Sequence, residues 1–410
     1  MVRILFCFLI LFFTYPLNAN AFKESLLLPN SAGFSIQDSS SSNKYIGYRS
    51  LSECKTAEEL LPTSPSNAFR TDITNLDSNL LTKVLVFKID FDDRNTDSDN
   101  SFHYEYIAEN LSAYFNVMSE GKFKFRWIYS SKSTRMPRSL QSYGAGSRSQ
   151  LAEIAQIIRD AQVLAFEEYQ IEDYDYLIVV PPSTIAKTDI STSISILQRK
   201  NEAINSTILA YDFWESGQSW AIPAHEIGHA LGLLDLYSYE SANQVGSDTI
   251  SIQRQFQFMH SYDLMNWPTG PAPELTAWSR WQLGFLDSKR IKCLPKSYTE
   301  TKLEALESEF NGIKALVYKI NEYQVLVIEN RQPLGFDYRL PTSASGVIVY
   351  LVNLREESGN GPLRLLPLIV NRGTSHSHTL HPRQSFEFGK MKIECVSISK
   401  YRAVIRVKMV

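Results

Sequence analysis

The stretch AHEIGHALGLLDLY, residues 224–237, sets two imidazoles and two carboxylates close together. On an α-helix each residue advances about 100°, so His225 and His229, four apart, stand one turn above each other and can converge on a single ion. Glu226 projects beside that point rather than into it, where a base must sit to take a proton from water activated there. A catalytic zinc bound by imidazole needs a third protein ligand and an open position, and Asp235 is the obvious third ligand. Gly232 can take the left-handed conformation that ends a helix, which turns the chain back and brings Asp235 towards the histidines. Pro223 falls in the first turn, where a missing N–H costs nothing.

An ordinary buried helix is the competing account. Ile227, Ala230, Leu231, Leu233 and Leu234 would suit one, and a lone histidine in such a helix is more often a hydrogen-bonded core residue than a ligand. Two histidines and a glutamate are costly to bury there without a metal or partners, which favours the metal.

The elements that must carry this motif are legible upstream. KVLVFKIDF (83–91) is β-branched and aromatic and reads as a central strand. HYEYIAENLSAYFNVM (103–118) spaces Ile107, Leu111, Tyr114 and Met118 by three and four, with Gly121 as the stop. KFKFRWIY (122–129) alternates like a strand, residues 150–169 carry an apolar helical stripe, and YDYLIVVPP (174–182) returns to strand. Strands alternating with helices predict a mixed sheet with helices packed against it. After about residue 289, short strand-like runs such as IKALVYKI, YQVLVIEN, GVIVYLVNL, MKIECVSIS and YRAVIRVKM predict a β-rich, sandwich-like domain. The expected class is therefore α+β: a catalytic domain over 81–289, then a β-rich domain over 290–410.

The 410 residues are 44% hydrophobic, enough for two cores, and the net charge of −3 supplies no field for nucleic acid. Arg3, an apolar run from Ile4 to Phe13 and Ala19-Asn20-Ala21 read as a cleaved signal peptide over 1–21, too short to span a bilayer. The expected location is secreted or extracytoplasmic, without stable membrane insertion. Residues 22–80 are polar and irregular, a pro-segment or a linker. In an oxidising compartment thiols can pair. The expected disulfide is Cys293–Cys395, both in strand-like segments of the C-terminal part, which leaves Cys54 as a free or intermolecularly paired thiol or a latch on the zinc. DRNTDSDN (93–100) starts like a calcium loop at Asp93, Asn95 and Asp97, but Ser98 stands at the glycine position and Tyr104 at the bidentate glutamate position. Calcium elsewhere stays open. His376, His378 and His381 read as a polar loop of the β-rich part.

HEIGHALGLLDLY, followed by SYDLMNWPTGPAPELTAWSRWQLGFL at 261–286, resembles the secreted zinc metallopeptidases of the immune inhibitor A type, relatives of the metzincins. The likeness extends to VLVFKIDFDD, to SEGKFKFRW and to the segment from Tyr323 to Asn353, and covers about residues 83–410. It implies a metzincin-like fold, zinc on His225, His229 and Asp235, Glu226 as general base and acid, and Met265 in the methionine turn beneath the metal. Leu234 stands where relatives commonly have proline, and Ser238 where they have an acidic residue. These departures bear on the loop and on calcium there, not on the three ligands.

The expected activity is hydrolysis of peptide bonds in protein or peptide substrates by a zinc endopeptidase. Tyr237, Tyr262 and His260 are the residues near enough in sequence to stabilise an oxyanion. The alternative is a secreted, non-catalytic binding protein with a vestigial or structural zinc site. A second rival keeps the histidines but takes Glu240 as third ligand.

Overall fold

The structure, a computed structural model, describes residues 48–55, 81–94, 101–144, 151–170, 173–185, 189–190, 193–196, 204–209, 220–243, 253–295, 297–369 and 376–409. The signal peptide and most of the 22–80 segment lie outside these residues, as do Asn95, Asp97 and Ser98.

Strands β1 (Leu81–Asp90), β2 (Lys124–Tyr129), β3 (Thr134–Arg135), β4 (Tyr176–Val180), β5 (Ile194–Ile196) and β6 (Asn205–Ile208) form one sheet in the order β2-β1-β4-β6-β5, with β3 also on β1. All its pairings are parallel except the last, β5 on β6. A parallel sheet is buried on both faces, and here two different clusters cover them. Leu85, Phe87, Leu177 and Val179 pack with Ile154, Ile157, Ile158 and Ala161 of the helix Leu151–Tyr169. Val84, Val86, Ile178 and Val180 point the other way. They join the cluster that contains the helix Ser101–Met118 and the helix Ala221–Ala230, which bears the histidines. In chain order these helices are α1 (Ser101–Met118), α2 (Leu151–Tyr169) and α3 (Ala221–Ala230). Period-two alternation in the strands thus assigns each residue to one helical layer or the other.

Two short helices, α4 (Tyr239–Asn243) and α5 (Ala277–Gln282), lead into the β-rich part. There β7 (Ile291–Cys293), β8 (Tyr298–Glu304), β9 (Ala315–Lys319), β10 (Gln324–Arg331), β11 (Gly346–Asn353) and β12 (Leu363–Leu365) are followed by β13 (Leu368–Ile369), β14 (His376–Ser377), β15 (Thr379–Leu380), β16 (Gln384–Phe388), β17 (Met391–Ile398) and β18 (Arg402–Met409). One sheet runs β12-β11-β10-β9-β7, with β15 on β11; another runs β16-β17-β18-β8; β13 and β14 pair separately. Leu316, Leu326, Ile328, Val347 and Val349 of the first sheet face Leu303, Ile393, Cys395, Ile405 and Val407 of the second, in the manner of a sandwich. The class is α+β, as expected.

The first of these two sheets is buried on its other face as well. Val317, Val325, Val327, Ile348, Tyr350 and Val352 share a cluster with Ala224, Ile227 and Met265, so apolar packing is continuous from the α3 layer into the β-rich part. A polar joint reinforces it. Arg331 is fully buried and paired to Glu307 (2.8 Å), Glu329 (3.1 Å) and Asp337. Two of those carboxylates also accept backbone N–H groups from around the start of α5: Glu329 from Ala277 (2.8 Å), its first residue, and Asp337 from Glu274 (2.9 Å), just before it. Buried charges survive only when paired and hydrogen-bonded, and these are.

The expected disulfide is corrected. Cys54 bonds to Cys293, and Cys395 is a buried free thiol. Residues 48–55 run alongside β7, where Arg49 N–H donates to Cys293 O (3.1 Å), and this pairing brings Cys54 to its partner. Cys54 and Cys293 belong to the cluster shared with α3, whereas Cys395 faces the interior between the two sheets, so the expected pair sits in two separate cores. Cys54 is therefore neither a free thiol nor a latch on the metal site.

Candidate metal centre

Helix α3 begins and ends where its sequence says. Pro223 occupies the first turn, and Gly232, at φ +96°, closes the other end. Gly232 N–H donates to His229 O (2.8 Å) and Leu233 N–H to Gly228 O (2.9 Å), the paired bonds of a Schellman cap. Beyond that reversal Asp235 returns to the helix. Its Oδ1 lies 3.0 Å from His225 Nε2 and 3.3 Å from His229 Nε2. Among the described residues His225, His229 and Asp235 are the one group of three or more side chains able to share a metal ion. Glu240, the rival third ligand, is exposed on α4, outside that group.

The imidazoles are held from behind. His225 Nδ1 is 3.1 Å from Leu264 O, and His229 Nδ1 is 2.9 Å from Leu233 O. A carbonyl can only accept, so each Nδ1 carries its hydrogen and each neutral ring offers a lone pair at Nε2. Two such lone pairs then face a carboxylate oxygen that is buried and has no hydrogen bond. Three acceptors aimed at one another repel unless a cation lies between them, and a divalent ion with nitrogen and oxygen ligands meets that need. Without a metal, protons take that role. Burial lowers the His229 pKa, but Asp235 outweighs it and raises the imidazole to about 9. Burial opposes ionisation of Asp235 too, yet the two histidines hold it well below the usual carboxylate range.

Glu226 is buried beside the pair. Burial raises its pKa, against the opposing pull of His229, His225 and a hydrogen bond from Ser195 Oγ to Oε2 (2.6 Å). A carboxyl shifted upwards in this way is better matched to proton exchange near neutral pH than an exposed glutamate.

Met265 lies under α3: a Cβ added at Gly228, between the two histidines, would fall 2.6 Å from Met265 Sδ. The turn that places it is fixed by Asp263, at φ +75°. Its Oδ1 accepts Met265 N–H (2.9 Å) and its Oδ2 accepts Thr276 N–H (2.8 Å). The same turn supplies Leu264 O to His225, and Met265 O accepts Leu236 N–H (2.9 Å), so one turn orients a histidine and anchors the Asp235 segment. Sequence reading missed Asp263, although an aspartate two residues before a turn residue is a local signal.

It also missed the support of Asp235. Tyr239 O–H donates to Oδ2 (2.5 Å), Asp235 N–H donates to Ser358 Oγ (2.9 Å), and Gly359 N–H donates to Asp235 O (3.0 Å). Ser358 and Gly359 belong to the loop between β11 and β12, so the β-rich part helps to hold the third ligand. No local signal marks a partner more than a hundred residues away.

The three residues considered for an oxyanion fare differently. Tyr262 donates to Ala344 O and is buried against Arg331, and His260 stacks on His378 at 4.0 Å between ring centroids. Both are committed away from the ligands. Tyr237 is the one beside them, its ring 6.2 Å from that of His225. Asp93, first residue of the calcium-like stretch, accepts the N–H groups of Leu140 (2.7 Å) and Gln141 (3.0 Å).

No protein-family model and no curated protein matches this chain.

Proposed function

We propose that the protein is a zinc-dependent endopeptidase of metzincin-like architecture, related to the immune inhibitor A type and acting outside the cytoplasm. The observation that carries the reading is the convergence of His225 Nε2, His229 Nε2 and the orphaned Asp235 Oδ1, with a buried carboxyl at Glu226 beside them. Zinc bound there would act as a Lewis acid that polarises a peptide carbonyl and lowers the pKa of a water molecule from about 15.7 towards ~7.

The chain's own residues do the rest. Leu264 O and Leu233 O fix the imidazoles in the tautomer that presents Nε2, and Tyr239 holds the Asp235 carboxylate so that Oδ1 faces them. Glu226 takes a proton from the attacking water and returns it to the leaving amine, which makes it base and then acid. The Cys54–Cys293 disulfide supports an oxidising compartment. Among the described residues no helix is long and apolar enough to cross a membrane.

The test is cleavage of casein by zinc-loaded protein, with and without a chelator, beside Glu226→Ala. The chelator should abolish cleavage, and the variant should keep zinc but lose activity by several orders of magnitude. Full activity in Glu226→Ala would refute the assignment. Tight zinc binding without any cleavage by the wild type would favour a non-catalytic binding protein.

A further inference from the structure

Strand β6 departs from the composition its position demands. A strand inside a parallel sheet covered on both faces should be apolar, as β1 and β4 are. Yet β6 reads Asn205-Ser206-Thr207, all buried. Ser206 points to the α2 side, where its hydroxyl accepts from Gln162 (2.8 Å) and donates to Ile204 O (3.0 Å). Thr207 points to the α3 side. Its cross-strand partner on β5 is Ser195, and their hydroxyls are 2.5 Å apart. Tyr176 on β4, itself buried, places its phenol 2.5 Å from Thr207 Oγ1.

These three hydroxyls end on Glu226, because Ser195 Oγ is 2.6 Å from its Oε2. An ionised carboxylate can only accept, which fixes the direction of every bond in the row. Ser195 donates to Glu226, Thr207 donates to Ser195, and Tyr176 donates to Thr207. Burial pushes the Tyr176 pKa up, so the phenol at the far end keeps its proton. Tyr176 Oη also lies 3.5 Å from Ser195 Oγ, and every donor in the row has an acceptor, the condition under which a buried polar chain rigidifies rather than weakens a core.

Resting on the endopeptidase reading above, we propose that Ser195 is the positioning residue of Glu226. It occupies Oε2, so that Oε1 is the oxygen that takes the proton from water and delivers it to the amine. Thr207 and Tyr176 hold the Ser195 hydroxyl in the donating orientation. A carboxylate on a flexible side chain would otherwise sample other rotamers, and small misplacements of a catalytic group are expensive in rate.

The experiment uses the full zinc-loaded chain and the variants Ser195→Ala, Ser195→Thr, Thr207→Val and the double variant Ser195→Ala with Thr207→Val. Ser195→Ala should lower kcat about tenfold to a hundredfold with KM within about twofold, the signature of a contact that matters in the transition state. Zinc affinity should stay close to wild type, while the unfolding midpoint should fall modestly, because the variant leaves Glu226 Oε2 without its donor and the Thr207 hydroxyl without its acceptor. A peptide hydroxamate, which transfers its acidic proton to the base as it binds, should bind this variant about tenfold more weakly by calorimetry, a readout free of turnover. Ser195→Thr should recover most of kcat because it keeps the hydroxyl. Thr207→Val should cost less than Ser195→Ala and add nothing in the double variant. Wild-type kcat in Ser195→Ala, a change confined to KM, or no recovery by threonine would each overturn the proposal and leave the endopeptidase reading intact. A wild-type protein that takes zinc and cleaves nothing would overturn that reading, and the role of Ser195 with it.

Discussion

Gly228 offers the sharpest perturbation of the centre. It lies on α3 between the two histidines, and a Cβ there would meet Met265 Sδ at 2.6 Å and Cε at 3.3 Å. Ordinary carbon contacts begin near 3.5–4.0 Å, so about 1 Å of movement is required. Met265 is only 1% exposed and Gly228 is buried, so the thioether end of Met265 has to move within packed surroundings. Overpacking of this kind costs about 1–3 kcal/mol, while alanine regains about 1 kcal/mol over glycine in a helix. Gly228→Ala should therefore lose up to about 2 kcal/mol in urea or thermal unfolding. The same strain moves α3 against the turn that supplies Leu264 O to His225, so zinc affinity should fall about tenfold to a hundredfold in a chelator-competition titration. Met265→Ala alone should cost about 2–5 kcal/mol by leaving a cavity. In the double variant the new methyl occupies part of that cavity, and the two losses should fall short of additivity by at least about 1 kcal/mol. A Gly228→Ala protein at least as stable as wild type with unchanged zinc affinity, or strict additivity, would refute the contact.

Three other outcomes are expected. Tyr239→Phe removes the hydroxyl that holds Asp235 Oδ2 from a side chain 40% exposed, so zinc affinity should fall about tenfold to a hundredfold with little change in folding stability; unchanged affinity would count against Tyr239 as support. Zinc must displace the proton on His229, whose pKa is raised to about 9, so apparent affinity should rise up to about tenfold per pH unit from pH 6 to 8 and level off above about 9; a pH-independent titration would contradict this sign. The Cys54–Cys293 bond closes a loop of 239 residues, and replacing both cysteines with serine should cost up to about 5 kcal/mol in urea unfolding. Non-reducing peptide mapping should recover that pair, with Cys395 alkylated only after denaturation; a recovered Cys293–Cys395 peptide would refute it.

Much of the centre was local enough to read from sequence. The spacing of His225 and His229, the first-turn proline and the glycine stop each act within one or two helical turns, where backbone geometry leaves few choices. The same locality made the strands and helices before residue 183 visible, since side-chain periodicity reports which face is buried. Glu226 shows where that ends. The helix explains why it stands beside the histidines, but its partner Ser195 lies on a strand whose own neighbours gave no sign of it.

The sequence by itself determined that two imidazoles share a helical face, that a reversal follows them and that an acid stands beyond the reversal. Tertiary structure bore out Asp235 over Glu240 as the acid that completes the group, and it alone decided that Tyr239 and the β11–β12 loop hold it. It also decided that Cys54, not Cys395, reaches Cys293, because the expected partners face opposite sides of a sheet buried on both. The physical reason is range. Helical spacing and turn chemistry are set by nearest neighbours along the chain, whereas a disulfide, a buried ion pair or a hydroxyl row depends on which faces pack together, and packing forces are non-directional until the whole core is assembled.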